Sequence, residues 1–160
     1  MTKQLDLKEI DNNNQDIYDF LSQVYEAEFA PLTHTEPDCR GHYSIASPCP
    51  APNRRGWIAY QNSKPIGFII VEKKSKFWDV SEFFILPDFR KNGYGFELAS
   101  TVFQMIPTDW QIRQLLTANQ ATSFWQKVLQ KMDVPFTQTI QTDPDWGMVV
   151  SQRFSTKNGK

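Results

Sequence analysis

The sequence predicts an α+β domain on a mixed sheet. Three observations carry this: a length that suits one core, the order in which period-2 and period-3.6 hydrophobic patterns succeed one another, and the lack of any repeat, low-complexity tract or linker. A chain of 160 residues, 40% hydrophobic and 14% aromatic, can bury one sizeable core and is short for two ordinary domains. Residues 1–160 are therefore read as one domain.

Each element has its own pattern. "QLDLKEI" alternates apolar and polar and reads as a first strand. In "NNNQDIYDFLSQVYEAEF" the positions Ile17, Phe20, Leu21, Val24, Tyr25 and Ala27 recur at three and four, with Asn and Asp available to cap a helix. Residues 30–54 hold many of the prolines and read as a long loop or short helical pieces, the kind of segment that is often functional. "GWIAYQNSKPIGFIIVEKK" reads as a hairpin turning at "QNSK", and "FWDVSEFFIL" as a further, strongly apolar strand. A helix comes next, with Phe96, Ala99, Val102, Phe103 and Ile106 on one face; then come the strand "QIRQLLTA", the amphipathic helix "QATSFWQKVLQKM" and a closing hairpin that turns at Asp143-Pro144-Asp145. The order is β-α-loop-β-β-β-α-β-α-β-β.

The corner "FFILPDFRKNGYGFELAS" is the most informative stretch. Asn92-Gly93 is a favoured hairpin dipeptide, but the residues after Gly95 have period 3.6, so no second strand is there to close a hairpin. The stretch lacks the three glycines of a dinucleotide fingerprint and the G-K-[ST] of a P-loop. The remaining pattern is Arg-x-x-Gly-x-Gly leading from an apolar strand into a helix N-terminus, where unpaired amides and the helix dipole favour a phosphate.

Composition excludes other classes. A formal net charge of -1 argues against a general nucleic-acid binder. No window approaches the ~20 apolar residues of a membrane helix and the start has no apolar leader, so a cytoplasmic protein with no membrane contact is expected. Cys39, Cys49, His34 and His42 share one loop, but only Cys39-x-x-His42 has ligand spacing, and no metal site is expected. Charge is divided along the chain: residues 1–40 sum to -6 and residues 41–160 to +5.

One carboxylate stands out. Counting alternate residues, Trp78, Val80, Glu82, Phe84 and Leu86 share a strand face, so Glu82 interrupts an apolar row. Either it pairs with a cation such as Lys73 or Lys74, or it faces a cleft where desolvation raises its pKa toward usefulness as a base.

In this context the corner resembles the pyrophosphate-binding motif of the GNAT (Gcn5-related N-acetyltransferase) superfamily. "EFFILPDFRKNGYG" is similar to that family's fourth strand, loop and third helix, and "QATSFWQKVLQKM" to its fourth helix. The run from Glu82 to Met132, with "DWGMVVSQRF", looks most like a small, poorly characterised branch of predicted acetyltransferases. The resemblance covers nearly the whole chain. It implies a mostly antiparallel sheet of six to seven strands, splayed between strands 4 and 5 and flanked by about four helices. It further implies that acetyl-CoA is the cosubstrate, held by the backbone of Arg90, Lys91, Asn92, Gly93, Tyr94 and Gly95, with its pantetheine arm pairing near Phe84 and Ile85 and stopping at Pro87. In many members a Glu on this strand is the base, which here means Glu82; a strand bulge, common in the family at this place, would invalidate the face count above.

Two positions depart from the family pattern. Trp125 stands where a Tyr acid is usual, and Asn119 lies one residue closer to it than the usual spacing, so no general acid is assigned. The expected activity is direct transfer of an acetyl group to a small-molecule or peptide amine. The acidic first helix and loop, with Asp16, Asp19, Glu26, Glu28, Glu36 and Asp38, would face a cationic acceptor, with Glu26 and Glu28 singled out. A non-catalytic acyl-CoA-binding module or sensor is the alternative. The sequence leaves the acceptor and the oligomeric state, a homodimer included, open.

Overall fold

The computed structural model describes residues 5–157. Its elements are β1 (Asp6–Glu9), α1 (Gln15–Thr33), β2 (Arg54–Gln61), β3 (Lys64–Lys73), β4 (Trp78–Ile85), a 3₁₀ turn (Pro87–Phe89), α2 (Tyr94–Met105), β5 (Asp109–Leu115), α3 (Asn119–Met132), β6 (Phe136–Asp143) and β7 (Gly147–Ser155). The expected first strand is β1; Gln4, placed in it by the pattern, lies outside the described residues. In place of about four helices, three α-helices and the 3₁₀ turn occur among the described residues, and residues 34–53 run as loop.

The strands form one seven-stranded sheet in the order β1-β2-β3-β4-β5-β7-β6. Every neighbouring pair is antiparallel except β4 and β5. β2 and β3 turn at Asn62 and Ser63, both with positive φ, the backbone of a tight two-residue hairpin turn. The parallel β4–β5 ladder covers only Trp78↔Trp110, Asp79↔Gln111 and Val80↔Ile112, and beyond those pairs the strands part.

Each face of the sheet carries its own core. α2 and α3 cover one face, where Trp57, Ile69, Val80, Leu98, Phe103, Trp110 and Trp125 are buried. α1 and the 34–53 loop cover part of the other, over Tyr18, Leu21, Ile58, Phe68 and Phe84. Of the expected inward stripe of α1, Ile17, Leu21, Val24 and Tyr25 pack inward, joined by buried Tyr18 and Ser22, whereas Phe20 is 68% exposed and Ala27 is exposed. Tyr18 can face inward because its hydroxyl donates to the Ser47 carbonyl at 2.7 Å. Asn14 stands at the N-cap without a side-chain capping bond, its Oδ1 accepting instead from the Asp11 amide at 2.8 Å.

β4 carries a bulge. Ile70 pairs with Glu82 and Val71 with Val80, which leaves Ser81 as an extra residue. The bulge splits the expected row: Trp78 and Val80 pack toward α2 and α3, whereas Glu82, Phe84 and Leu86 turn to the α1 side. The expected common face is therefore wrong from Glu82 onward, because an inserted residue inverts the alternation.

Candidate active site

A cleft of about 880 Å³ opens where β4 and β5 part. One wall comes from the end of α1 and the loop residues Ala46 and Ser47; the other comes from α2 and α3.

Glu82 sits in this cleft on the α1 side. Its Oε1 accepts from the Tyr25 hydroxyl at 2.7 Å and its Oε2 from the Ser47 hydroxyl at 3.1 Å. Among the described residues it makes no ion pair; Lys74, one of the two cations considered for it, pairs with Glu72 at 3.4 Å. Burial pushes the Glu82 carboxyl up to about 7, against the pull of those two hydrogen bonds and with a further push from the charge of Glu26. A carboxyl at that value changes protonation near neutrality. Tyr25 is raised well above the ordinary phenol range, first by burial and then by Glu82, so it stays protonated and serves as a donor.

The corner after β4 has the backbone of an anion site. Lys91 and Gly93 both have positive φ, at 63° and 85°. Gly93 is the N-cap of α2 and brings no side-chain oxygen, so it gives the first turn no side-chain cap. Gly95 has a second reason to lack a side chain, since a Cβ there would come within 3.0 Å of the Phe124 ring of α3. Lys91, Lys127 and Lys131 line the cleft, and among the described residues none of them is in an ion pair. Lys127 and Lys131, four apart on α3, were not singled out from the sequence, although that spacing on an amphipathic helix was the available signal.

Backbone alternation fixes which groups face the gap. The Leu86 amide donates to the Ile66 carbonyl, so Leu86, Phe84 and Glu82 turn their backbone groups to β3, and Phe83 and Ile85 turn theirs the other way. Of the two residues expected to pair there, Ile85 keeps that orientation and Phe84 does not; the phenyl ring of Phe84 packs with Tyr25 and Phe68. The Ile85 carbonyl accepts from Arg90 Nε at 2.7 Å.

The remaining expected residues divide. The Arg90 guanidinium is bound bidentately by Glu28 at 2.8 and 2.9 Å, so Glu28 lines the cleft with its charge already paired. Glu26 also lines the cleft, and burial raises its pKa. Asp16, Glu36 and Asp38 are exposed, Asp19 is partly so, and none of the four is on the cleft wall. Trp125 lines the cleft and is buried against Phe83, Phe103 and Phe124. Asn119, first residue of α3, is exposed and off the wall. Asn92 is exposed and donates to the Arg90 carbonyl at 3.1 Å.

The donor set suits a phosphorylated thioester: helix-start amides and lysines at one end, an apolar gap, and a largely buried carboxylate at the other. One buried acceptor, Oε1 of Gln114 on the cleft wall, lacks a hydrogen-bond partner among the described residues. Among the described residues no group of three or more His, Cys, Asp or Glu could hold a metal ion, and no helix is long and apolar enough to cross a membrane.

Curated protein sequences give no match to the chain. Among solved structures, the chain is similar to an N-acetyltransferase from Thermoplasma acidophilum solved with coenzyme A (9% identity, 92% of this chain and 98% of that one, TM-score 0.64). It is similar to the aminoglycoside 6'-N-acetyltransferase of Enterococcus faecium (12%, 97% and 99%, TM-score 0.65). It is also similar to the ribosomal-protein-S18-alanine N-acetyltransferase of Escherichia coli (10%, 98% and 97%, TM-score 0.66). At such identities the likeness establishes the fold. The model of the acetyltransferase (GNAT) family matches residues 15–129, most of the chain, from the start of α1 through most of α3; the chain belongs to that family of acyltransferases.

Proposed function

We propose that the chain transfers the acetyl group of acetyl-CoA directly to the nitrogen of a primary amine, with Glu82 as the base. The observation that carries this reading is a largely buried carboxyl near neutrality, with no ion-pair partner among the described residues, at the edge of a gap whose far end is lined by amides and lysines. The thioester supplies an activated acyl carbon and a leaving thiolate of ordinary pKa near 8.5. The amides of Lys91 to Gly95, with Lys127 and Lys131, hold the phosphates, and the gap-facing backbone of Phe83 and Ile85 aligns the pantetheine arm. Glu82, directly or through a water, takes the proton that the attacking ammonium must lose. Ser47 and Tyr25 keep its two oxygens in place.

The acceptor fits a cation. Glu82 and Glu26 are two carboxylates with no ion-pair partner among the described residues, beside the rings of Tyr25, Phe29 and Phe84, which suit an ammonium group. Small cationic amines or lysine-rich peptide ends are accordingly expected to outperform neutral or acidic amines.

One observation favours a second reading, a non-catalytic acyl-CoA-binding module: Trp125 offers no acidic hydroxyl. Turnover separates the two. Release of free CoA from acetyl-CoA should be measured across a panel of amines for the wild type and Glu82→Gln. An enzyme shows release that depends on the amine, with kcat/KM rising as pH passes about 7 because the base acts only when ionised. The variant loses roughly 10² or more in turnover and keeps its affinity for CoA. No amine-dependent release, with CoA still bound, leaves the binding module.

A further inference from the structure

We infer that Gln114 is a positioning residue for the acyl donor. Its side-chain carbonyl accepts the amide N–H that lies next to the thioester in acetyl-CoA, and a relay of glutamine amides behind it fixes that carbonyl. The inference rests on the acetyl-CoA reading above.

Gln114 lies two residues past Ile112, the last β5 residue paired with β4, as Glu82 lies two residues past Val80 on the facing strand. The two therefore stand level at the foot of the gap. Glu82 is on the α1 side, and Gln114 is on the side that Ile112 shares with the α2–α3 core. Gln114 is 6% exposed and lines the cleft. Its Nε2 donates to Gln152 Oε1 at 2.7 Å, and Gln152 Nε2 donates to Gln138 Oε1 at 3.0 Å. Gln138 Oε1 also accepts from Gln126 Nε2 at 2.9 Å, which ties the row to α3.

Such a row has a direction. Gln114 and Gln152 each donate a nitrogen to the next oxygen, so the acceptor left over is at the cleft end, where Gln114 Oε1 is buried without a donor among the described residues. A buried carbonyl oxygen in that state is costly, and no described residue supplies the missing donor, which a bound ligand can. The pantetheine arm carries two secondary amides. At the level of Glu82, where the acyl carbon must meet the amine, the nearer one is the amide separated from the sulfur by two carbons. An oxygen aligns with its N–H and repels a carbonyl, so Gln114 sets the orientation of the donor about its long axis.

The test compares CoA with adenosine 3′-phosphate 5′-diphosphate, which keeps all three phosphates and lacks the arm, by calorimetry on the wild type, Gln114→Met and Gln152→Met. Gln114→Met should weaken CoA roughly tenfold, the scale of one net hydrogen bond, and leave the nucleotide unchanged. Gln152→Met, which only frees Gln114 to turn, should give a smaller loss with the same selectivity. In the wild type, CoA but not the nucleotide should shift the side-chain amide resonance of Gln114, a readout that needs no variant. Unchanged CoA affinity in Gln114→Met, equal losses of both ligands, or an unmoved resonance would overturn the inference. A wild type that binds no CoA would instead overturn the acetyl-CoA reading beneath it.

Discussion

Because burial raises the Glu82 carboxyl to about 7 from an ordinary value of 4.5, the folded chain binds a proton there that the unfolded chain has released between those values. The stabilisation is fully present below about 4.5 and is lost as pH rises through about 7, a difference of order 3 kcal/mol at most. Glu82→Gln should remove that slope: its melting temperature relative to wild type should rise between pH 5 and pH 8, by several degrees. A wild type and variant that melt in parallel across that range would show the carboxyl to be ordinary. Gly93 gives a second residue-scale expectation. At φ 85° an added Cβ costs about 1 kcal/mol, so Gly93→Ala should melt slightly lower and bind CoA more weakly. The sequence made Glu82 conspicuous because one charge stood among apolar neighbours. Its face was illegible because "VSEF" alternates acceptably with or without an extra residue, and the bulge is set by the pairing with Ile70 and Val71 across the sheet.

Among the elements, the end of α1 and the corner before α2 are tied together by Glu28 and Arg90, 62 residues apart. The guanidinium also lies over the Phe84 ring at 5.4 Å and holds the Ile85 carbonyl, so three segments meet on one side chain. Both partners are about two-fifths exposed, which keeps the pair's own worth to about 1 kcal/mol or less. Its expected effect is on alignment: Glu28→Gln should leave the melting temperature nearly unchanged and weaken CoA about two- to fivefold, although Glu28 is not assigned to the cofactor. An unchanged CoA affinity would reduce the pair to a surface contact. The succession of strands and helices along the chain, both hairpins and the helices α2 and α3 were readable from periodicity and turn residues. The pairing of Glu28 with Arg90 was not, because nothing local marks which acidic residue of a helix meets a distant arginine. For the same reason the acidic surface expected of α1 narrows to Glu26 at the cleft.

Over the whole molecule, the charge division seen along the chain recurs in space only in part: the lysines of the corner and α3 gather at one end of the cleft, and of the first helix's acids Glu26 and Glu28 line the cleft and Asp16 and Asp19 lie off it. Lys127→Glu with Lys131→Glu should therefore weaken CoA by tenfold or more at low salt, with the difference shrinking as ionic strength rises and the Debye length falls below about 10 Å. Salt-independent loss would place the defect in packing. The narrow seam between β4 and β5 has a mechanical consequence. The chain crosses it once, through α2, and the strands before and after that crossing form two panels joined along a crease of three bridged pairs. β1 and β7 lie in opposite panels, so a load applied near the two ends of the chain acts on the crease before it acts on either panel. A donor laid along the gap would bond to the open margin of β4 and brace that crease, so the force at which single molecules unfold in an optical trap should rise when CoA is added.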